Sequence, residues 1–225
     1  MGTEDRLRAA ESWFGYGRWD APYWFIGMEQ GGSDDGPEKD SYAAWARLGG
    51  GELLDCAKHH REFNFNRWHG DGNIKPELQQ TWRPLIKLLL GYLGLPADRE
   101  DARVYQREHW GAADGETAVL EISCMRAKVL GTHADRMLFR PQRISTLRSR
   151  LNKNRPVFAV CYGLGYQETY EEIIGTRFDA AGWGCRGNTL FVLMQGPTAP
   201  NPGGDASWIG KGQEIAKKVR ALKIS

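Results

Sequence analysis

The stretch Tyr23-Trp24-Phe25-Ile26-Gly27 decides the fold class of this chain. It is apolar at every position before the glycine, which is typical of a strand buried on both faces of a parallel sheet. Three further apolar runs of similar length follow, at residues 119–124, 157–161 and 189–194. Amphipathic stretches that we interpret as helices separate these runs. The pattern therefore predicts an α/β protein, a three-layer α/β/α fold with a central, mostly parallel sheet of about four strands.

Composition limits the class of protein. The chain has 225 residues, of which 41% are hydrophobic and 26% charged, and this balance predicts one soluble domain spanning residues 1–225. The longest apolar run, around Leu88 to Leu90, is too short to span a bilayer, and the N-terminus is charged. We therefore expect a cytoplasmic, reduced protein, a monomer with no membrane contact.

The cysteines argue against a metal site. They stand at positions 56, 124, 161 and 185, with no Cys-x-x-Cys pair and no Cys/His cluster along the sequence. This spacing excludes a zinc ribbon or finger and argues against an iron–sulfur cluster. We expect no bound metal and no cofactor.

Charge is divided unevenly along the chain. Residues 1–125 carry 14 Lys and Arg against 21 Asp and Glu, whereas residues 126–225 carry 16 against 7. Between residues 126 and 155, only Asp135 opposes nine basic side chains: Arg126, Lys128, Arg136, Arg140, Arg143, Arg148, Arg150, Lys153 and Arg155. A stripe of one sign is the electrostatic footprint of a polyanion site. The alternative is a solvated basic helix over residues 141–154 that only keeps the protein soluble.

Ligands of open parallel sheets bind where the strands end, at the carboxyl edge. This rule selects the loops at residues 27–32, 123–128 and 195–204. The Gly163-x-Gly165 turn is a fourth candidate. It is a weak nucleotide signal, because tight packing between a strand and a helix explains it equally well.

Four segments carry a family resemblance. In Trp24-Phe25-Ile26-Gly27-Met28-Glu29-Gln30-Gly31 an apolar strand runs into a glycine and a polar loop. Residues 121–126 end a second strand, residues 155–175 read as a proline, a strand, a glycine and a helix, and residues 193–200 form a proline-rich loop. In this order they resemble the uracil-DNA glycosylase superfamily, from about residue 22 to the end of the chain.

The resemblance implies a DNA repair enzyme that flips a deaminated base out of DNA and hydrolyses its N-glycosidic bond. Glu29 stands where the best-known branch of that family has its catalytic Asp, so it is expected to orient the attacking water. The expected base pocket comprises Gly27, Met28, Gln30, Tyr42, Ser123, Cys124 and Gln195. The expected DNA contacts are Arg126, Arg140, Arg143, Gly163, Gly165, Gly196, Pro197 and Thr198.

The chain departs from the family pattern at two signature positions. The strand that usually ends in the uracil-reading Asn has none, and Gly196 stands where the last motif has its His. A departing anionic base needs hydrogen-bond donors, and Ser123 and Gln195 are candidates to replace the missing pair. Glu121 is the fallback catalytic base. Two alternatives remain: a DNA-binding module without catalysis, and a small-molecule enzyme acting on nucleotides or nucleosides.

Overall fold

The computed structural model describes residues 3–29, 40–70, 75–125, 139–200 and 202–224. The helices are α1 (Thr3–Ser12), α2 (Ser41–Arg47), α3 (Cys56–Glu62), α4 (Trp82–Leu93), α5 (Arg99–Glu108), α6 (Arg140–Asn154), α7 (Gln167–Ile174) and α8 (Asp205–Ala221). The strands are β1 (Gly15–Gly17), β2 (Tyr23–Glu29), β3 (Leu53–Leu54), β4 (Thr117–Ser123), β5 (Phe158–Tyr162), β6 (Trp183–Arg186) and β7 (Thr189–Met194). Among these ranges, no helix combines the length and the hydropathy needed to cross a membrane.

All seven strands form one sheet in the order β3-β1-β4-β2-β5-β7-β6. The four strands expected from the apolar runs lie together at its centre, and every pair among them is parallel. The predicted α/β class is therefore confirmed. The sheet is larger than the expected four strands because short strands extend both edges: β1 and β3 on one side, and β6, antiparallel to β7, on the other.

Glycines allow the edge strand β1 to approach the centre of the sheet. Its sequence is Gly15-Tyr16-Gly17, which resembles a turn more than a strand. A Cβ atom at Gly15 would lie 2.1 Å from the Val119 carbonyl oxygen, and one at Gly17 would lie 2.0 Å from that of Thr117. Any larger residue at these two positions would therefore push β1 away from β4.

Helices cover both faces of the sheet, which explains why the central strands are apolar throughout. Alternate residues of a strand point to opposite faces. In β2, Trp24 and Ile26 pack under α6 and α7, whereas Phe25 packs in the other layer with residues of α4 and α8. The expected three-layer arrangement is thus present.

The order of the central strands creates a crevice at the carboxyl edge. From β2 the chain moves to one side and forms β4, and it then crosses to the other side of β2 and forms β5 and β7. Neighbouring strands β2 and β5 are consequently followed by connections that leave in opposite directions. Open α/β sheets bind their ligands at such a topological switch point.

Two glycines let helices α4 and α8 cross closely. A Cβ atom at Gly212 would lie 1.9 Å from the Leu88 carbonyl oxygen, and one at Gly91 would lie 2.4 Å from that of Ile209. In both positions the obstacle is main chain, which cannot rotate away as a side chain can.

We expect Gly212→Ala to lower the free energy of unfolding by about 1–3 kcal/mol, because the added methyl group separates the two helices. The matched control is Gly210→Ala in the same helix, where an added Cβ meets open space. That variant should be neutral or up to about 1 kcal/mol more stable, since alanine favours the helix. Urea unfolding followed by circular dichroism measures both, and equal effects would contradict the close crossing.

Candidate active site

One row of residues crosses the carboxyl edge of the sheet at the switch point. Gly27 of β2 is paired with Glu121 of β4, and Tyr162 of β5 is paired with Met194 of β7. Ile26 is paired with Cys161, so the next residue of β5, Tyr162, flanks Gly27 on its other side. The row therefore brings a carboxyl group and a phenol to the two sides of a glycine.

The side chains of Glu121 and Tyr162 meet above Gly27. The Tyr162 hydroxyl donates a hydrogen bond of 2.9 Å to Glu121 Oε1. A Cβ atom at Gly27 would lie 2.3 Å from Glu121 Oε2 and 2.4 Å from the Tyr162 hydroxyl oxygen. Only glycine leaves the space that this pair occupies.

Burial holds the Glu121 carboxyl in its neutral form. The residue as a whole is half-buried, but its Oε2 atom is shut off from solvent and has no hydrogen-bond partner. Burial raises the pKa of Glu121 to about 8, although the Tyr162 hydrogen bond and the charge of Arg143 both act to lower it. Because Oε1 already accepts from Tyr162, the proton belongs on Oε2. The site thus presents an acidic O–H donor without an acceptor of its own.

Tyr42, Ser123 and Cys124 line the same end of β4. The buried Tyr42 hydroxyl donates a hydrogen bond of 3.3 Å to the Cys124 carbonyl oxygen, and the Tyr42 ring packs edge-on against Trp13. Ser123 Oγ accepts a hydrogen bond of 3.2 Å from the main-chain N–H of Met125. These contacts fix Tyr42 in the core beside the strand end.

The structure does not bring the residues predicted from the first motif together on one face of the sheet. Glu29 is the last residue of β2, paired in register with Ser123, and only its main chain is described. Gln30 and Arg126 lie outside the described residues. Met28 packs with the α6 and α7 layer, on the face opposite Phe25. Its expected place in the base pocket is therefore wrong, because the strand alternation turns it away from the Glu121 pair.

The two glycine-containing loops predicted to touch DNA lie at this same edge. Gly163 follows β5 with a φ of +119° and donates a main-chain hydrogen bond of 2.8 Å to the Met194 carbonyl oxygen, and Gly165 meets no atom where a Cβ would stand. After β7, the exposed Gln195 donates a hydrogen bond of 2.8 Å to the Pro200 carbonyl oxygen. The half-buried Gly196 follows, and a cavity of about 330 Å³ lies next to Pro197 and Thr198.

Arg143 is a structural residue. Its side chain is buried, and it donates hydrogen bonds to the carbonyl oxygens of Ile122 at 2.5 Å, Trp13 at 2.8 Å and Glu121 at 3.0 Å, with a further one to Ala10. The prediction that Arg143 contacts DNA is wrong, because main-chain carbonyls already occupy its N–H groups. Amphipathic periodicity could not distinguish this buried cation from a solvated one.

The described part of the basic stripe is partly neutralised. Arg140, at the start of α6, donates a hydrogen bond of 2.5 Å to Thr169 Oγ1 of α7. Arg148 donates to the Glu172 carbonyl oxygen, and Arg150 forms a 2.5 Å ion pair with Glu52. Of these three cations only Arg150 is paired with a carboxylate, while Arg140 and Arg148 keep their charge and lie beside α7.

Sequence reasoning missed one cluster of chemical groups. The fold brings Cys56, His60 and His69 together, with their ligand atoms within 4.8 Å of one another. The spacing of the cysteines along the sequence did not reveal this cluster, because His69 reaches it only through the fold. The available signal was the Cys56-x-x-x-His60 spacing, which places both side chains on one face of a helix.

Comparison with known proteins adds no assignment. No family model matches the chain, and no curated protein matches it. The resemblance of the loop motifs to the uracil-DNA glycosylase superfamily stays a prediction.

We expect the free energy of unfolding to depend on the protonation of Glu121. The pKa of Glu121 is about 8 in the folded chain and 4.5, the usual glutamate value, in the unfolded chain. The stabilisation that comes from binding this proton is therefore complete below pH 4.5 and is lost as the pH rises to about 8. Over that interval the free energy of unfolding falls by as much as about 4 kcal/mol through this group. Glu121→Gln, which mimics the neutral form, should remove this part of the slope in pH-dependent urea unfolding.

The control for this prediction is Glu116→Gln, at the opposite end of β4. Glu116 accepts a 2.8 Å hydrogen bond from Tyr105, much as Glu121 does from Tyr162. Subtracting each variant's slope from that of the wild type removes contributions from other groups, such as His69. Equal slopes in the wild type and in Glu121→Gln would contradict a neutral Glu121.

We expect Arg143→Met to cost about 3–5 kcal/mol of stability, because several buried carbonyl oxygens lose their donors. Arg148→Ala removes an exposed cation from the same helix and should cost less than about 1 kcal/mol. Thermal unfolding of the two variants tests the assignment. If Arg143→Met were as stable as the wild type, the assignment of Arg143 as a structural residue would be contradicted.

Proposed function

We propose that the protein is a DNA glycosylase that hydrolyses the N-glycosidic bond of uracil, or of another deaminated base, and leaves an abasic site. The observation that carries this proposal is the neutral carboxyl of Glu121 above Gly27, at the switch point of the sheet, whose Oε2 atom has no hydrogen-bond partner. The resemblance of the loops at this edge supplies the substrate class.

Glu121 supplies the hydrogen-bond donor that the departing base needs. Cleavage of an N-glycosidic bond produces a cation-like sugar and an anionic base, and the base must be met by donors in a dry pocket. The Oε2–H group of Glu121 supplies such a donor, and the Tyr162 hydrogen bond to Oε1 holds it in position. Glu121 thereby takes the role that the resembling family gives to its Asn and His.

Glu29 and Glu121 divide the work between two carboxyl groups. Glu121 pairs with Gly27, and Glu29 pairs with Ser123 two residues further along, so the Cα atoms of the two glutamates lie roughly 8 Å apart by ordinary strand spacing. The resemblance gives the ionised role to the position of Glu29, and the raised pKa of Glu121 leaves the neutral role to that residue. We assign the ionised role to Glu29, which orients water and stabilises the sugar cation.

DNA binding in this proposal uses the edge around α7. Arg140 lies against Thr169 of α7, and the Gly163 to Gly165 turn leads into the N-terminus of that helix. Main-chain N–H groups at a helix N-terminus and an arginine together suit a phosphate. The proposal includes a single- or double-stranded DNA substrate, action as a monomer without a cofactor, and a cytoplasmic location.

The test is incubation with labelled single- and double-stranded oligonucleotides that contain uracil, hypoxanthine, xanthine or a thymine mismatch, followed by alkaline cleavage of abasic sites. We expect excision of at least one of these bases. Glu29→Gln, which removes the charge, and Glu121→Leu, which removes the Oε2–H donor, should each lower turnover by about 10²–10⁴-fold with DNA affinity retained, whereas Glu116→Gln should behave as the wild type.

Three other outcomes distinguish the alternatives. Salt-sensitive DNA binding without excision of any base would identify a non-catalytic DNA-binding module. Neither binding nor excision would favour a small-molecule enzyme acting on nucleotides or nucleosides. Excision that is unaffected by both glutamate substitutions would contradict the assignment of the two carboxyl groups while leaving the activity in place.

A further inference from the structure

Three potential metal ligands converge in the core on the side of the sheet that α4 and α8 cover. Cys56 and His60 lie one helical turn apart at the two ends of the first turn of α3, and His69 comes from the connection that follows this helix. All three side chains are buried, with at most 2% of their surface exposed. A thiol and two imidazoles form a ligand set that suits zinc and similar divalent ions.

The distances between the ligand atoms match a tetrahedral metal site. Cys56 Sγ lies 3.6 Å from His60 Nδ1 and 3.4 Å from His69 Nε2. A tetrahedral zinc ion with ordinary Zn–S and Zn–N bond lengths separates its sulfur and nitrogen ligands by about 3.6 Å. The two sulfur-to-nitrogen distances therefore suit a tetrahedral metal, and all three ligand atoms lie within 4.8 Å of one another.

His69 directs one ring nitrogen at the thiol. Its Nε2 atom lies 3.4 Å from Cys56 Sγ, while its Nδ1 atom is shut off from solvent and has no hydrogen-bond partner of normal geometry. With Nε2 as the ligand atom, the ring proton lies on Nδ1.

The alternative is a metal-free chain of hydrogen bonds. His60 Nδ1 lies 2.7 Å from the Cys56 carbonyl oxygen, so Nδ1–H can donate to that oxygen. The Cys56 thiol can then donate to His69 Nε2. This arrangement uses the same atoms as the metal site and differs from it in keeping the thiol proton of Cys56.

We propose that Cys56, His60 and His69 bind one zinc ion, or another divalent ion with the same preference for sulfur and nitrogen. Metal uptake releases the thiol proton of Cys56 and moves the ring proton of His60 from Nδ1 to Nε2. No fourth Cys, His, Asp or Glu among the described residues joins this cluster. The ion joins α3 to His69 in the long connection between α3 and α4, whose described residues, 63–70 and 75–81, contain no helix or strand. This inference does not depend on the proposed enzymatic function.

Cobalt titration of the full chain, stripped of metal with a chelator, tests the site. Cobalt bound to a thiolate in a tetrahedral site gives a sulfur-to-metal charge-transfer band and intense visible transitions. We expect one cobalt ion per chain with both signals, displacement of cobalt by zinc, and a higher melting temperature when zinc is present.

Two matched pairs of variants show which residues bind the ion. Cys161→Ala removes another fully buried thiol and should keep both signals, whereas Cys56→Ala should lose the charge-transfer band and weaken binding by about 100-fold or more. His69→Gln should weaken binding similarly, while His59→Gln, at a histidine hydrogen-bonded to Tyr16 and the Ser41 carbonyl, should retain the band.

The wild-type titration decides the proposal even where a variant does not fold. A folded wild-type chain that gives no charge-transfer band on addition of cobalt would overturn it. A band that persists in folded Cys56→Ala would overturn the ligand assignment, and hence the site.

Discussion

The space above Gly27 is the constraint on which the carboxyl edge of the sheet depends. The Glu121 carboxyl and the Tyr162 hydroxyl meet there, and a single Cβ atom at Gly27 would collide with both. A slip of one residue between β2 and β4 would turn Glu121 to the other face, into the layer of α6 and α7. The pair can therefore exist only with the observed register. The same register aligns the ends of the four parallel strands at the switch point.

Arg143 supports this arrangement from the neighbouring layer. Its guanidinium group joins the carbonyl oxygens at the end of β4 to those that follow α1, so the position of Glu121 depends on a side chain of α6. Its positive charge also acts to lower the pKa of Glu121, and burial overcomes that effect. One buried arginine thus influences both the geometry and the protonation of the site. Its replacement would be expected to disturb the two together.

Local signals made much of the fold predictable. The apolar run at 189–194 and the amphipathic stretch at 167–174 coincide with β7 and α7. Strand β1 was missed because Gly15 and Gly17 resemble a turn until their approach to β4 is seen. Glu121 was identified as a fallback base, but its elevated pKa depends on burial, which only the assembled sheet and its covering helices create.

The most direct test of this account is a measurement of the pKa of Glu121. The side-chain carboxyl ¹³C resonance of Glu121, assigned by its absence from the spectrum of Glu121→Gln, can be followed against pH in the folded protein. The account predicts that this resonance stays at the position of a neutral carboxylic acid through pH 7 and titrates at about 8. Titration near the usual glutamate value of 4.5 would show an ionised carboxylate in the crevice and would contradict the central claim.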